Sequence, residues 1–251
     1  RAFWLPSVVT GYANWIPVSR SAQTKNWRET SLSATIEITQ DIAIITMDDG
    51  KANAINPTMI AALNTCLDQA EQAARAVVLV GRENRFSAGF DLKLMSSLTS
   101  DEVTLMVNEG GRLALRLYTF PMPVVCACTG HGIAMGSFIL LASDIRIGTE
   151  GPYKIGANET AINMVLPVFA VELLKARIDP RHLGHAAING HLYDPDGAVA
   201  AGFLDRIVPA SQVKATAIEV ALELSALTSP AYGKNKRLIR AQTIAVIEPS
   251  L

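Results

Sequence analysis

Two glycine-bearing turns contain the residues whose types and spacing could do chemistry. The first turn is Phe86-Ser87-Ala88-Gly89-Phe90-Asp91-Leu92, and the second is Gly130-His131-Gly132-Ile133-Ala134-Met135-Gly136. Each follows a strand-like apolar run, 76–80 or 124–128, and precedes a helix-like stretch, so each can leave backbone N–H groups unpaired at a helix start. Two such N–H groups that converge on one carbonyl oxygen form an oxyanion hole, which stabilises developing negative charge.

The N–H groups of Phe90 and Met135 are the candidate donors. If both point at one thioester or ester oxygen, they can push the carbonyl towards an enolate, because preorganised donors are worth roughly 3 kcal/mol each. The proton on the neighbouring carbon then becomes removable. The glycines would let the backbone approach a substrate closely or adopt a positive φ.

The glycines also allow two other interpretations. Gly89, Gly132 and Gly136 could simply close tight turns, as glycines at strand ends often do. The second turn also follows a strand and has Glu150 further along, as in a dinucleotide site. Its spacing is GxGxxxG rather than GxGxxG, and the helix after it is short for a crossover. The dinucleotide interpretation is therefore the weaker one.

The composition is typical of one sizeable globular domain. The chain has 251 residues, of which 49% are hydrophobic and 18% charged, so it can bury a large core. A formal net charge of -1 without any cluster of Lys and Arg argues against nucleic-acid binding. No apolar run approaches the roughly 20 residues that a membrane span needs. We expect a small-molecule ligand and neither a nucleic-acid nor a membrane partner.

The cysteines predict a reducing environment. Cys66, Cys126 and Cys128 are an odd number without metal-ligand or CxxC spacing, and the last two alternate with Ala127 in an apolar strand. Buried free thiols are the expected state. A cytoplasmic location follows, with the mitochondrial matrix as the alternative.

The first 33 residues differ in composition from the rest. They contain all three tryptophans and no acidic residue before Glu29. A transit peptide can have such a composition, but Pro6, Gly11 and Pro17 interrupt any amphipathic helix. We interpret residues 1–33 as an N-terminal extension of uncertain origin.

The elements that must position the first turn are a hairpin, a helix and a strand. A β-hairpin is predicted over 36–47 around Gln40, where apolar residues alternate or form a continuous run. Asn56-Pro57 supplies an N-cap and a proline at the first helical position, and the helix should reach about Ala73. The strand at 76–80 completes a βαβ step before the first turn.

The same order repeats before the second turn. A helix is predicted from about Asp101, capped by Ser100, to Tyr118, followed by a strand at 124–128. After the turn, a short apolar helix and a strand at 145–147 are expected. Further helix starts are predicted at Pro167, Pro180, Pro195, about Ser211 and Ser229-Pro230. The fold class is therefore α/β, with a helical C-terminal region.

Five stretches, in this order along the chain, resemble the crotonase (enoyl-CoA hydratase/isomerase) superfamily. They are Lys51–Asn56, Phe86–Lys93, Gly130–Asp144, Ile155–Thr160 and Ala200–Pro209. The resemblance extends from about Thr35 to the end of the chain. It implies a crotonase-like spiral core of ββα units over 34–209 and a helical C-terminal region over 210–251. It also implies a homotrimer or a dimer of trimers.

The resemblance implies an enzyme that acts on an acyl-CoA thioester, with coenzyme A as part of the substrate and no other cofactor. The N–H groups of Phe90 and Met135 would hold the thioester oxygen. The expected substrate-binding residues are Lys51, Ala52, Ala54, Ala88 and Phe138. The stretch 51–54 is similar to the one that contacts the CoA adenine and phosphates in the family.

The expected catalytic acid is Glu159. Hydratases of the family use two glutamates, and in this chain the first of those positions is Phe138, which cannot exchange a proton. Syn addition of water needs paired roles, whereas one carboxylate suffices to move a proton between C2 and C4. The stretch 155–160 resembles the mitochondrial Δ3,Δ2-enoyl-CoA isomerases, which use a single glutamate in this loop. Double-bond isomerisation is therefore the favoured reaction.

Other functions remain open from the sequence. A hydratase or hydrolase could draw its second polar group from a position that the motifs do not identify. A catalytically silent member could bind acyl-CoA or a protein partner, as Phe138 and the bulkier Ala134-Met135 pair would allow. Glu159 itself could be an ordinary loop carboxylate. For catalysis it should lie in an apolar pocket, which would raise its pKa above about 4.3.

Five further polar residues are assigned structural roles. His131 should be satisfied by the backbone, and His182 and His185 lack other ligands at metal spacing. Asp91 should fix the first turn through backbone N–H groups. Asp144 should cap a helix or form an ion pair.

Overall fold

A computed structural model describes residues 33–251. The predicted N-terminal extension, residues 1–33, therefore lies outside the described residues except for its last one. The strands are β1 Ala34–Thr39, β2 Ile42–Met47, β3 Ala76–Val80, β4 Asn84–Ser87, β5 Val124–Cys128, β6 Gly130–Ile133, β7 Ile145–Thr149, β8 Ile155–Gly156 and β9 Arg206–Val208. The helices are α1 Pro57–Ala73, α2 Leu92–Met95, α3 Ser100–Tyr118, α4 Met135–Ala142, α5 Val168–Arg177, α6 Pro180–Ala187, α7 Pro195–Ala201, α8 Val213–Ser225, α9 Pro230–Ile239 and α10 Ala241–Ile247.

The strands form two sheets that the chain visits in turn. The larger sheet has the order β1-β2-β3-β5-β7-β9, and the smaller has the order β4-β6-β8. Strands β1 and β2 are antiparallel and all other neighbours are parallel. From β3 onwards, successive strands alternate between the two sheets, and helices follow each strand pair. This is the predicted spiral of ββα units.

The predicted hairpin and first helix are confirmed. Gln40 and Asp41 both have positive φ, 50° and 62°, as a two-residue hairpin turn requires. The Asn56 side chain accepts a hydrogen bond from the Met59 N–H at 3.0 Å, and Pro57 occupies the first helical turn. Local turn and cap chemistry therefore determines these elements.

Helix α3 begins one residue earlier than predicted. Its N-cap is Thr99 rather than Ser100, which was the wrong choice. Thr99 and Glu102 form a capping box, in which the glutamate side chain accepts from the Thr99 N–H at 2.9 Å. This reciprocal pair satisfies two backbone donors, whereas a cap at Ser100 would satisfy one.

The core lies on both faces of the larger sheet. Alternate residues of β2, β3 and β5 belong to two separate apolar clusters, as the two-residue period of a strand requires. Helices α1, α3 and α4 contribute to the larger cluster, and α8 contributes to the smaller one. All three cysteines are buried and free, as predicted. Among the described helices, none is both long and apolar enough to cross a membrane.

The smaller sheet was not predicted, and it determines where the two turns lie. Its strands have only four, four and two residues, and they contain glycines and polar residues without a clear period. Gly130 and Gly132 are therefore strand residues rather than turn residues. Strands β4 and β6 are parallel neighbours, with Ser87 opposite Gly132. Because parallel strands end at the same edge, the two turns leave the sheet side by side.

Candidate functional site

The two glycine turns are in direct contact. Gly89 has φ +91°, and a Cβ at this position would lie 2.7 Å from the Ala134 Cβ and 3.3 Å from the Met135 nitrogen. A Cβ at Gly136 would lie 2.6 Å from the carbonyl oxygen of Ser87. Neither position can hold a side chain, since real Cβ atoms do not approach other atoms so closely. The glycines are thus required for the backbone of one turn to reach the other.

The backbone N–H groups of Phe90 and Met135 differ from those of their neighbours because they lack hydrogen-bond acceptors in the described part of the chain. The residues on either side of Phe90 hydrogen-bond to the backbone of Ile55 at 2.8 and 3.2 Å, and the residue before Met135 donates to Gly156 at 2.9 Å. The N–H groups of Phe90 and Met135 themselves have no acceptor within residues 33–251. Met135 is the first residue of α4, where a free N–H is expected. Two adjacent free donors can hold an anionic oxygen.

Ala134 holds a strained backbone conformation between these donors. Its φ and ψ are 51° and -123°, which is unusual for a residue with a side chain. Such strain costs roughly 1–3 kcal/mol. The hydrogen bond from Ala134 N–H to Gly156, and another from Ser137 N–H to the Ala134 oxygen at 2.8 Å, hold the conformation in place. Strain that persists in this way is concentrated at functional sites.

A cavity of about 130 Å³ opens beside the turns. Residues of both turns line it, together with Phe138 of α4 and the loop that follows β8. The lining is apolar except for Asn158 and Glu159. An apolar cavity with a few convergent polar groups is the usual form of a small-molecule site.

Glu159 is the carboxylate of this cavity. It is 6% exposed, and its Oε2 has no hydrogen-bond partner within the described residues. Burial raises the pKa of Glu159 to about 7, against the opposing effect of a hydrogen bond from its own backbone N–H. Phe138 also lines the cavity, and its ring packs edge-on against that of Phe169 at 5.9 Å. The predicted acid and the phenylalanine at the other acid position are therefore brought together.

Asn158 is a cavity residue to which the sequence had assigned no role. Its Oδ1 is buried and lacks a hydrogen-bond partner within residues 33–251. A polar side chain directly before the candidate acid was the signal that could have identified it. Asn158 and Glu159 thus both line the apolar cavity, and each has a buried oxygen without a hydrogen-bond partner among the described residues.

The predicted substrate-binding residues divide into two groups. Ala88 lines the cavity, as does Phe138. Lys51, Ala52 and Ala54 do not line it. Their segment runs beside the first turn, where the Ala52 oxygen accepts a hydrogen bond from the Ala88 N–H at 3.0 Å, and Lys51 is exposed. Their assignment to the CoA end of a substrate stays a prediction.

The remaining polar candidates have structural partners. The His131 Nδ1 accepts a hydrogen bond from the Lys154 N–H at 3.0 Å. Asp91 caps α2 by accepting from the Leu94 N–H, also at 3.0 Å. Asp144 forms ion pairs with Lys236 and Arg240. Among residues 33–251, no group of three or more His, Cys, Asp or Glu side chains could hold a metal ion, so His182 and His185 are not part of such a site.

Comparisons with known proteins identify the family. Residues 37–245 match the Enoyl-CoA hydratase/isomerase family model. The chain is 29% identical over 206 residues to human enoyl-CoA delta isomerase 1, mitochondrial, covering 80% of this chain and 68% of the relative. A crystal structure of an enoyl-CoA hydratase from Mycobacterium ulcerans is 39% identical with a TM-score of 0.84, covering 87% of this chain and 96% of that one.

A third comparison gives the same fold. An enoyl-CoA hydratase/isomerase family protein from Pseudomonas syringae is 35% identical with a TM-score of 0.85, covering 88% of this chain and 96% of that one. The predicted α/β crotonase-like fold is confirmed. The chain belongs to the enoyl-CoA hydratase/isomerase family, and it is an enzyme of that family.

Proposed function

We propose that the chain is an enoyl-CoA isomerase that moves a double bond from the Δ3 to the Δ2 position of an acyl-CoA thioester. The observation that carries this proposal is the single carboxylate of the cavity. Glu159 is buried and unpaired, and no other titratable side chain of the described residues lines the cavity.

In this mechanism the free amides of Phe90 and Met135 donate to the thioester oxygen. Glu159 takes a proton from C2 of the 3-enoyl group, and the electron pair of the broken C–H bond forms a dienolate. The same carboxyl group then returns the proton to C4, which leaves the double bond between C2 and C3. The two amides stabilise the enolate oxygen, each by roughly 3 kcal/mol in comparable sites.

The raised pKa of Glu159 suits this role. A carboxylate with a pKa of about 7 is a stronger base than an ordinary glutamate, and it still ionises near neutral pH. Proton transfer is most effective when the pKa of the base lies near the working pH. We infer that the apolar lining serves to keep Glu159 basic.

Phe138 favours isomerisation over hydration. Addition of water needs one group to activate the water and another to deliver a proton, and the phenylalanine can do neither. The human relative that is named a delta isomerase supports this assignment. The M. ulcerans relative named a hydratase supports hydration as the second candidate. In either reaction coenzyme A is part of the substrate, and no further cofactor is needed.

The test is Glu159→Gln with Glu109→Gln as the control, since Glu109 is exposed on α3. We expect turnover of a 3-enoyl-CoA to fall by about 100-fold or more in Glu159→Gln, with CoA-ester affinity kept. The control should match the wild type. Retained turnover in Glu159→Gln would refute the role of this acid. A 3-hydroxyacyl-CoA as the main product from a 2-enoyl-CoA in water would identify a hydratase instead.

A further inference from the structure

Two neighbouring residues that line the cavity have buried, unpaired side-chain oxygens. Asn158 Oδ1 and Glu159 Oε2 are both buried, and neither has a hydrogen-bond partner within the described residues. Hydrogen bonds hold the loop backbone at this point. The backbone carbonyl oxygen of Glu159 accepts from the Ile162 N–H at 3.1 Å and from the Met164 N–H at 2.9 Å. Both side chains therefore start from a fixed backbone and line the same small space.

Two buried acceptors on neighbouring residues beside an apolar cavity are unfavourable unless a donor appears. An unsatisfied buried acceptor costs about 1–3 kcal/mol. The ionised Glu159 carboxylate has no hydrogen to offer to Asn158, and both oxygens carry partial or full negative charge. The acyl part of an enoyl thioester has no N–H or O–H donor either. The situation changes when Glu159 takes up a proton, because its carboxyl group then becomes a donor.

We propose that Asn158 is a positioning residue for Glu159, whose protonated carboxyl group donates a hydrogen bond to the Asn158 Oδ1. The role rests on the proposed isomerase mechanism, in which Glu159 carries the substrate proton between C2 and C4. The contact exists only while the proton is on the enzyme. It therefore stabilises the dienolate intermediate relative to bound substrate, which raises kcat without changing KM.

The opposite orientation of the carboxamide gives the opposite result. If Asn158 turned its Nδ2 towards Glu159, it would donate to the carboxylate and favour the ionised form, which would lower the pKa of Glu159. The accepting orientation favours the protonated form and raises the pKa. No other titratable side chain within residues 33–251 lines the cavity, so the direction of the change in the Glu159 pKa distinguishes the two orientations.

The test is Asn158→Leu, which removes the oxygen while a side chain of similar size keeps water out. The readout is the pKa of Glu159 from a ¹³C NMR titration of glutamate-labelled protein, with the signal assigned by its loss in Glu159→Gln. We expect the pKa to fall by about one unit, the size of one ordinary hydrogen bond. The kcat for a 3-enoyl-CoA should fall about tenfold with KM within about twofold.

Asn163→Gly is the matched control. Asn163 lies in the same loop, is exposed and has φ 58°, a conformation that glycine adopts freely. This variant should keep the pKa of Glu159 and the kcat. If Asn158→Leu does not fold, Asn158→Val also removes the oxygen and should shift the pKa in the same direction.

An unchanged or higher pKa in the folded Asn158 variant would overturn the proposal. The titration needs no turnover, so it separates this proposal from the isomerase assignment. A lower pKa together with hydration products would keep the contact between Asn158 and Glu159 and overturn only the reaction. Normal isomerase activity with an unchanged pKa would keep the isomerase assignment and overturn the contact between Asn158 and Glu159.

Discussion

The burial that raises the pKa of Glu159 also costs folding stability when the carboxylate is ionised. Glu159 is 6% exposed and lines a cavity whose other lining residues are apolar, apart from Asn158. Desolvation penalises the ionised form, and the pKa rises from 4.5 to about 7. The folded state therefore binds a proton more tightly than the unfolded state does, which makes stability depend on pH.

Glu159→Gln should remove this dependence. Below about pH 4.5 the carboxyl group is protonated in both the folded and the unfolded state, so folding carries no penalty for burying a charge. As pH rises through the folded pKa of about 7, the folded state loses this proton and the stability that came with it. We expect the stability of Glu159→Gln relative to wild type to increase by about 3 kcal/mol between pH 4 and pH 8. Urea unfolding at several pH values measures the difference.

The exposed residue Glu109 again provides the control for this prediction. Glu109→Gln should follow the wild type across the whole pH range. If Glu159→Gln also ran parallel to the wild type, Glu159 would titrate as an ordinary glutamate. Its proposed role as a base with a raised pKa would then lose its support.

Within the family-like stretches, the sequence singled out several candidate site residues and left one residue of the cavity without a role. Glu159 and Phe90 line the cavity, and the assignment of the Phe90 and Met135 amides as donors to a substrate oxygen stays a prediction. Asn158 lies in the family-like stretch Ile155–Thr160, but the sequence assigned it no role, because its unpaired oxygen is defined only by three-dimensional packing. Lys51 was assigned to a substrate-binding segment, but it does not line the cavity, because whether a side chain reaches a cavity depends on distances that sequence spacing does not determine.

Among the helices, α3 carries a local defect that the site explains. Gly110 and Gly111 lie near the middle of this 19-residue helix, and each glycine costs about 1 kcal/mol relative to alanine. A Cβ on Gly110 would lie 2.5 Å from the Cζ of Phe90, and one on Gly111 would lie 2.8 Å from the Cδ1 of Phe169. The helix thus gives up stability so that the Phe90 ring can lie against it, at the wall of the cavity.

Gly110→Ala should therefore narrow the cavity. The new methyl group must push the Phe90 ring away from α3, and the ring already borders the cavity. We expect kcat/KM for a long-chain 3-enoyl-CoA to fall about tenfold more than for a short-chain one, about 1.4 kcal/mol of selectivity. Steady-state kinetics over a chain-length series measures the effect.

Adding Phe90→Leu to Gly110→Ala should restore the long-chain activity, because the smaller side chain makes room for the methyl group. Gly184→Ala is the matched control, since Gly184 lies within α6 and a Cβ there would meet no atom within 4 Å. It should leave selectivity unchanged and stabilise the helix slightly. A Gly110→Ala effect that Phe90→Leu does not reverse would show that Gly110 acts through another contact.

The elements that could be predicted are those with local signals. The Asn56-Pro57 cap and the Gln40-Asp41 turn each determine a boundary through their own side chains and φ angles. The smaller sheet has no such signal, because a strand as short as Ile155–Gly156 is defined only by its pairing with β6. Those pairings join residues far apart in sequence, so propensity does not reveal them.

At the scale of the whole molecule, a buried ion cluster joins the last helices to the core. Asp144, at the start of the β7 region, contacts the Lys236 Nζ at 2.6 Å and the Arg240 Nη2 at 2.9 Å. Lys236 also donates to the Met122 oxygen at 2.9 Å. Burial lowers the pKa of Lys236 to about 8, although Asp144 opposes this shift. The Asp144 carboxylate thus pairs with a lysine of α9 and with the arginine that precedes α10.

The oligomeric state of the protein stays a prediction. Leu238 and Ile239 of α9 are 72% and 86% exposed. Exposed apolar side chains in the C-terminal region are consistent with the homotrimer or dimer of trimers that the family resemblance implies. The ion cluster would then fix the helix that presents these side chains.

Asp144→Asn should release these helices. The substitution leaves Lys236 and Arg240 buried without a counter-charge, and breaking a buried pair in this way typically costs about 3–5 kcal/mol. Chemical denaturation measures the loss. Asp179→Asn is the control, because that residue pairs with Arg181 at the surface and asparagine preserves its capping role at α6. The control should change stability little.

A second substitution separates charge from packing. In Asp144→Asn with Lys236→Met, one of the two unpaired cations is gone, so part of the lost stability should return even though two native contacts are missing. If the double variant were less stable than Asp144→Asn alone, Lys236 would contribute through its hydrogen bond to Met122 rather than through charge balance. The sign of that difference decides between the two explanations.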